Sequence, residues 1–193
     1  MSIICYYVSA ALATVPMIEA SPDVIFDPAS RPPGVEVIDV DKAYEALAWL
    51  SSPLKRAETE HQTRLIREPN WNVTEARASV AALDAIPMDD SLAALEGRTD
   101  DRNESIDFGM GAAAFFPPAR VRELSTSLNG LSEEDLRAQA NFETMDEQDV
   151  QPGNWVIEGE DILSSYLIPG FRRLQRFYGS AAAQDQAVLV VCV

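Results

Sequence analysis

The chain has a single histidine, His61, only two cysteines, Cys5 and Cys192, and no lysine or arginine before Arg31. Each scarcity excludes something. Zinc sites need three or four Cys, His or acidic ligands at set spacings, and this chain has no CxxC, HxH or HExxH. A serine triad would depend on His61, and no GxSxG elbow exists to present the nucleophile. The apolar, alanine-rich stretch from Ile3 to Met17 lacks the positive flank of a secretory leader. Tyr6, Tyr7 and Pro16 interrupt it, so it reads as a first strand. No apolar run reaches the ~18–20 residues that a membrane span requires, and a cytoplasmic location is expected. The cysteines fit two buried free thiols of a reducing compartment. A disulfide between two terminal strands is also geometrically open, whereas a catalytic thiol would need His61 from an unrelated segment.

Positive charge is the other scarcity. Fifteen basic residues face 31 acidic ones, for a net charge of −16. Nucleic-acid binding depends on cations that neutralise phosphates, and anionic membranes attract basic segments; this chain would be repelled by both. It would attract basic proteins or cations, unless its acidity serves solubility alone.

What is present is the material of one α+β domain, with 47% apolar residues over 193 positions. Ser2–Ser9 is rich in β-branched and aromatic residues and predicts a buried strand; Val35–Ile38 predicts a second. Ala43, Ala46, Leu47 and Leu50 recur at helical spacing behind Asp39 or Asp41, and residues 54–72 read as charged and irregular. A helix from Thr74 is expected to bury Val80 and Leu83, and a short one from Asp89 to end at Gly97. Arg98–Asp107 reads as a polar loop and Phe108–Phe116 as a strand. Pro117-Pro118 then opens a helix carrying Val121, Leu124 and Leu128, with Asn129-Gly130 as a left-handed terminator. Ser132 to Asp135 has the form of a capping box. Asp161–Tyr178 predicts a long helix kinked or broken at Pro169-Gly170, and the wholly apolar AVLVVCV at the end predicts a central strand covered on both faces.

The strand ending in Val8-Ser9, the helix DVDKAYEALAWL, and the linked segments GAAAFFPPARVRELSTSL, LSEEDLRAQ and FETMDEQDVQPGNW are together similar to the YfbM-like family, domain-of-unknown-function family 1877. The resemblance spans residues 1–193 as one domain, with a variable, poorly matching centre at about 52–105. It implies a compact fold of helices packed around a mixed sheet. It supplies no activity and no catalytic residues, and this chain has Tyr44 where the family commonly has a tryptophan and Gln151 where it commonly has an aromatic residue before the proline.

Other constellations are accounted for by packing and solvation. The Gly109–Gly111 pair is separated from the next helix by two prolines and has no following lysine, unlike a phosphate loop. Asp39/Asp41, Asp89/Asp90, Asp100/Asp101 and Glu133–Asp135 fit helix caps or solvated faces, and no stretch has the alternating ligands of a calcium loop. No cofactor, metal ligand or catalytic residue is assigned. Negative charge is nevertheless concentrated: Ser132–Asp161 holds ten acidic residues against Arg137 alone. The candidate partner-binding residues are therefore Glu133, Glu134, Asp135, Glu143, Asp146, Glu147, Asp149 and Glu158. Trp155 joins them either as an aromatic interface anchor or as a core residue. The leading expectation is a non-enzymatic acidic module that binds a basic protein, as an immunity protein binds a toxin. The alternative is an enzyme or small-ligand binder whose pocket assembles from distant segments.

Overall fold

The structure is a computed structural model that describes residues 4–67, 73–99, 102–107 and 111–193. Its strands are β1 (Cys5–Ala10), β2 (Glu36–Asp39), β3 (Arg102–Asp107), β4 (Ala112–Phe116) and β5 (Ala187–Cys192). They form one sheet in the order β2-β1-β5-β4-β3. Every pairing is antiparallel. The α+β class and single domain are as expected, but the sheet is not mixed: no helical crossover joins two adjacent strands in parallel.

The two ends of the chain pair at the centre of the sheet, with Tyr7 opposite Val190 and Val8 opposite Leu189. Period-two alternation divides their side chains between two cores. Tyr7, Ala114, Phe116, Val188 and Val190 face the larger one. Val8, Ala10, Ala113, Leu189 and Val191 face the smaller one, closed by Val15 and Ile18 of α1 (Val15–Ala20) and by Ile25. The expectation of a last strand buried on both faces is met.

The larger core is covered by α2 (Ala43–Ser51), α5 (Asp90–Glu96), α6 (Pro118–Asn129) and α10 (Ile168–Ala183). In α6 the expected stripe of Val121, Leu124 and Leu128 is buried, but Gly130 ends the helix in the right-handed region at φ −75°. The capping box forms as expected: Ser132 and Asp135 exchange side-chain and backbone hydrogen bonds at the start of α7 (Glu133–Gln139). Next come α8 (Phe142–Glu147) and α9 (Trp155–Ile162). The predicted long helix is interrupted by a π-helical turn at Leu163–Leu167, which leads into α10 with Pro169 in its first turn. Right-handed helical dihedrals continue from Ile162 through Leu167 and Ile168, so the π-turn accommodates Pro169 without ending the helix.

Three local expectations are corrected. The stretch read as irregular is a 15-residue helix, α3 (Pro53–Arg67). It is entered through Ser52, whose Oγ accepts the Lys55 N–H at 3.0 Å, with Pro53 in its first turn. It buries only Leu54, so its sequence shows little apolar periodicity. In α4 (Val73–Asp84), Val80 is 46% exposed rather than core, because this helix packs mainly on α3 at the periphery. The polar segment 102–107 is edge strand β3, where one face is free to carry polar residues. Gly109, Met110, Asp100 and Asp101 lie outside the described residues.

The cysteines are likewise not free. Register places Cys5 directly across from Cys192, with Cα atoms 3.9 Å apart, and the two form a disulfide. The sequence could not decide this, because it depended on which strands pair and in what register. The cytoplasmic expectation loses the support of free thiols. No described helix is long and apolar enough to cross a membrane.

Two outcomes test this architecture. Alkylation of unfolded protein without reductant should add no mass, and reduction should lower stability by about 2–5 kcal/mol, since the bond closes nearly the whole chain. Gly97, at φ +63°, ends α5 against the sheet, and a Cβ there would stand 3.0 Å from both Ala114 Cβ and Val190 Cβ. Gly97→Ala should therefore destabilise by about 2–4 kcal/mol in chemical denaturation, combining left-handed strain with overpacking.

Candidate functional site

A cavity of about 420 Å³ opens between α2, α3 and the segment that leaves α8. Four carboxylates line it, Glu45, Asp146, Glu147 and Asp149, against two cations, Lys55 and Arg67. Each wall has a local cause. Trp49 of α2 donates its indole N–H to Gln148 Oε1 at 2.8 Å, which ties the end of α8 to α2. Asp149 then takes a left-handed φ of 52°, redirecting the chain toward α9. Asp146 accepts the backbone N–H groups of Trp155 at 2.6 Å and Val156 at 3.0 Å. A carboxylate at the positive end of α9 is favourable, and here it also fixes the helix to the cavity wall.

The floor is electrostatically tense. Lys55 Nζ stands 2.5 Å from the buried Glu96 Oε1 and pairs with it. Glu45 has its carboxyl pushed up from the ordinary range, chiefly by burial; Lys55 opposes the shift and Glu96 and Asp149 add to it. The neighbouring Tyr44 phenol is pushed up to about 12 by burial and by the charges of Glu45 and Glu96. The carboxylates do not converge on one point, and among the described residues no group of three or more His, Cys, Asp or Glu could hold a metal ion.

Of the nine residues predicted from sequence, only Asp146, Glu147 and Asp149 meet at this cavity. Glu133 is ion-paired with Arg172, and Asp135 belongs to the capping box, whose hydrogen bonds hold its carboxyl below the usual range. Glu134, Glu143 and Glu158 are exposed. Trp155 is no surface anchor: it is 0% exposed, donates its indole N–H to the Val150 carbonyl at 2.6 Å and stacks on Phe142. Its neighbours Val156 at 62% and Ile157 at 80% are exposed apolar residues, as is Ile66 of the cavity lining at 80%. Sequence reasoning missed these three, and it missed Glu45 and Lys55. Ser52-Pro53 was a readable helix start that would have placed Lys55 on a helix; nothing local singled out Glu45.

The arrangement is thus an acidic concavity with an exposed apolar turn at its edge, carried on an α+β domain with a five-stranded antiparallel sheet. The profile of the family described as "Domain of unknown function (DUF1877)" matches residues 1–191, and the chain belongs to that family. The fold is similar to the crystal structure of a protein of unknown function, YfbM from Escherichia coli. The TM-score is 0.61 and the identity 19%, covering 98% of this chain and 99% of that one. No curated protein matches.

The raised Glu45 carboxyl has a consequence for stability. Its folded value lies above its unfolded one, so the ionised group opposes folding at neutral pH. That penalty fades as pH falls through the raised folded value and is gone below the unfolded one, about 4.3. Glu45→Gln should therefore raise Tm at neutral pH, and the gain over the parent should disappear near pH ~4, as followed by calorimetry across pH.

Proposed function

We propose that this protein is a binding module that captures a basic protein, and that the acidic cavity with the adjoining turn of α9 is its docking surface. The observation carrying the proposal is the juxtaposition at Asp146. This carboxylate lines the cavity and also receives the Val156 N–H, so exposed Val156 and Ile157 begin at the rim of an acidic concavity. Charge complementarity speeds encounter and rejects acidic competitors, while a desolvated apolar side chain supplies most of the binding energy. A net charge of −16 extends the steering field well beyond the contact. The partner class is a protein with a cationic projection for the cavity and an apolar recess for Ile157. A basic toxin belongs to that class, and the immunity-type form of the proposal adds that the bound toxin is inactivated.

The test compares the parent with two variants, Ile157→Asp and the double charge reversal Glu147→Lys/Asp149→Lys, as immobilised baits. A basic protein should be retained by the parent, with retention falling as ionic strength rises. The charge reversal should slow association about tenfold or more at low salt. Ile157→Asp should cost about 1–3 kcal/mol of affinity with little change in association rate. Equal retention by all three baits would end the proposal.

A further inference from the structure

A second cavity, of about 390 Å³, has the opposite character. Its described lining includes Arg98, Arg102 and Arg120, with Thr99 beside them, and no carboxylate. In a chain with 15 basic residues against 31 acidic ones, three guanidiniums around one concavity is a local concentration of cationic donors, two of them charge-balanced from behind by carboxylates. They come from three places: the loop after α5, the start of β3 and the first turns of α6. The fold assembles them, since nothing in the local sequence does.

We infer that this cavity is an anion site that receives the phosphate group of a small organic ligand. The carboxylates that balance the arginines hold them from outside the lining. Arg98 donates from Nε to Glu96 at 3.1 Å and from Nη1 to Glu58 at 2.6 Å. Arg120 donates to Asp90 at 2.7 Å and to Glu123 at 2.8 Å. Arg102 donates from Nη1 to the Ala112 carbonyl at 3.1 Å and has no ion pair among the described residues. A guanidinium carries five N–H donors, so each arginine retains several beyond those that fix its position. Anchored forks with free donors suit phosphate, whose oxygens accept bidentate pairs, and the prior anchoring reduces the entropy lost on binding.

The rest of the lining sets the ligand's other half. Phe116, 2% exposed, and Ala93 give an apolar wall, and Met88 lies half exposed at the rim. A volume in the small-molecule range with an apolar wall and a cationic end fits an organic phosphate better than free phosphate. The overall negative field opposes any anion, so the arginines must overcome it locally. Binding of a phosphate monoester should then strengthen as pH rises through about 6, where the monoester becomes a dianion.

Calorimetric titration with phenyl phosphate, inorganic phosphate and phenol tests the site. Phenyl phosphate should bind more tightly than inorganic phosphate, and phenol should not bind. Arg102→Gln, at an exposed strand position outside any described ion pair, should keep the fold and weaken phenyl phosphate about tenfold, the loss of one charge-assisted contact. Arg120→Gln should do the same. Should it fail to fold, Arg102→Gln decides alone. No saturable heat from phenyl phosphate at millimolar concentration, or an Arg102→Gln titration equal to the parent's, overturns the inference.

Discussion

The antiparallel pairing of β1 with β5 is the constraint from which the other placements follow. It joins the first and last strands at the centre of the sheet, so the core is not complete until the end of the chain has folded onto its start. Two tyrosines then carry the constraint outward. Tyr7 of β1 donates its hydroxyl to the Leu95 carbonyl at 2.7 Å, and Tyr178 of α10 donates to the adjacent Ala94 carbonyl at 2.9 Å. Both phenols are fully buried, and burial raises their proton affinity far above that of an exposed tyrosine. Each is therefore fixed as a neutral donor, and together they hold two consecutive carbonyls in the last turn of α5.

Because α5 is fixed, Glu96 at its end is fixed too, and two cations pair with that carboxylate. Lys55 approaches it from α3, and Arg98 from the following loop donates to it and to Glu58. The two cavities therefore meet electrically at one residue. Lys55 belongs to the acidic cavity and Arg98 to the basic one, with Glu96 between them. A buried carboxylate without a partner would be costly, and here Lys55 and Arg98 both pair with it. The pairing also recruits α3, a helix that buries only Leu54 and has little apolar reason to dock.

This division explains which parts of the molecule the sequence exposed. Elements whose signals are local were legible: the capping box at Ser132, the α6 stripe behind Pro118, and the apolar run that became β5. Those set by distant partners were not. Helix α3 is held by its cap and by ions, so a reading based on apolar periodicity passed over it. The Cys5–Cys192 bond waited on strand register. Trp155, in the middle of an acidic run, offered a surface reading and a core reading, the core one favoured by its place after a turn, and the Val150 carbonyl and Phe142 ring settled it as core. The acidic segment was found, but more than half of the cavity it lines comes from α2 and α3, about a hundred residues earlier in the chain.

The same residues show why density of charge is a poor guide to a binding surface. Within Ser132–Asp161, Asp135 caps its own helix, Asp146 caps α9, and Glu133 and Glu160 are paired with Arg172 and Arg137. These carboxylates have their hydrogen-bonding capacity turned inward, and an incoming cation would have to compete with contacts that stabilise the fold. Glu147 and Asp149 make no side-chain ion pair or hydrogen bond among the described residues, and both face the cavity. Charge that the fold already uses contributes to the long-range field; charge left free at a concave, partly desolvated surface gives contact specificity. On that argument the effective site is small, and it lies where the acidic segment meets α2 and α3.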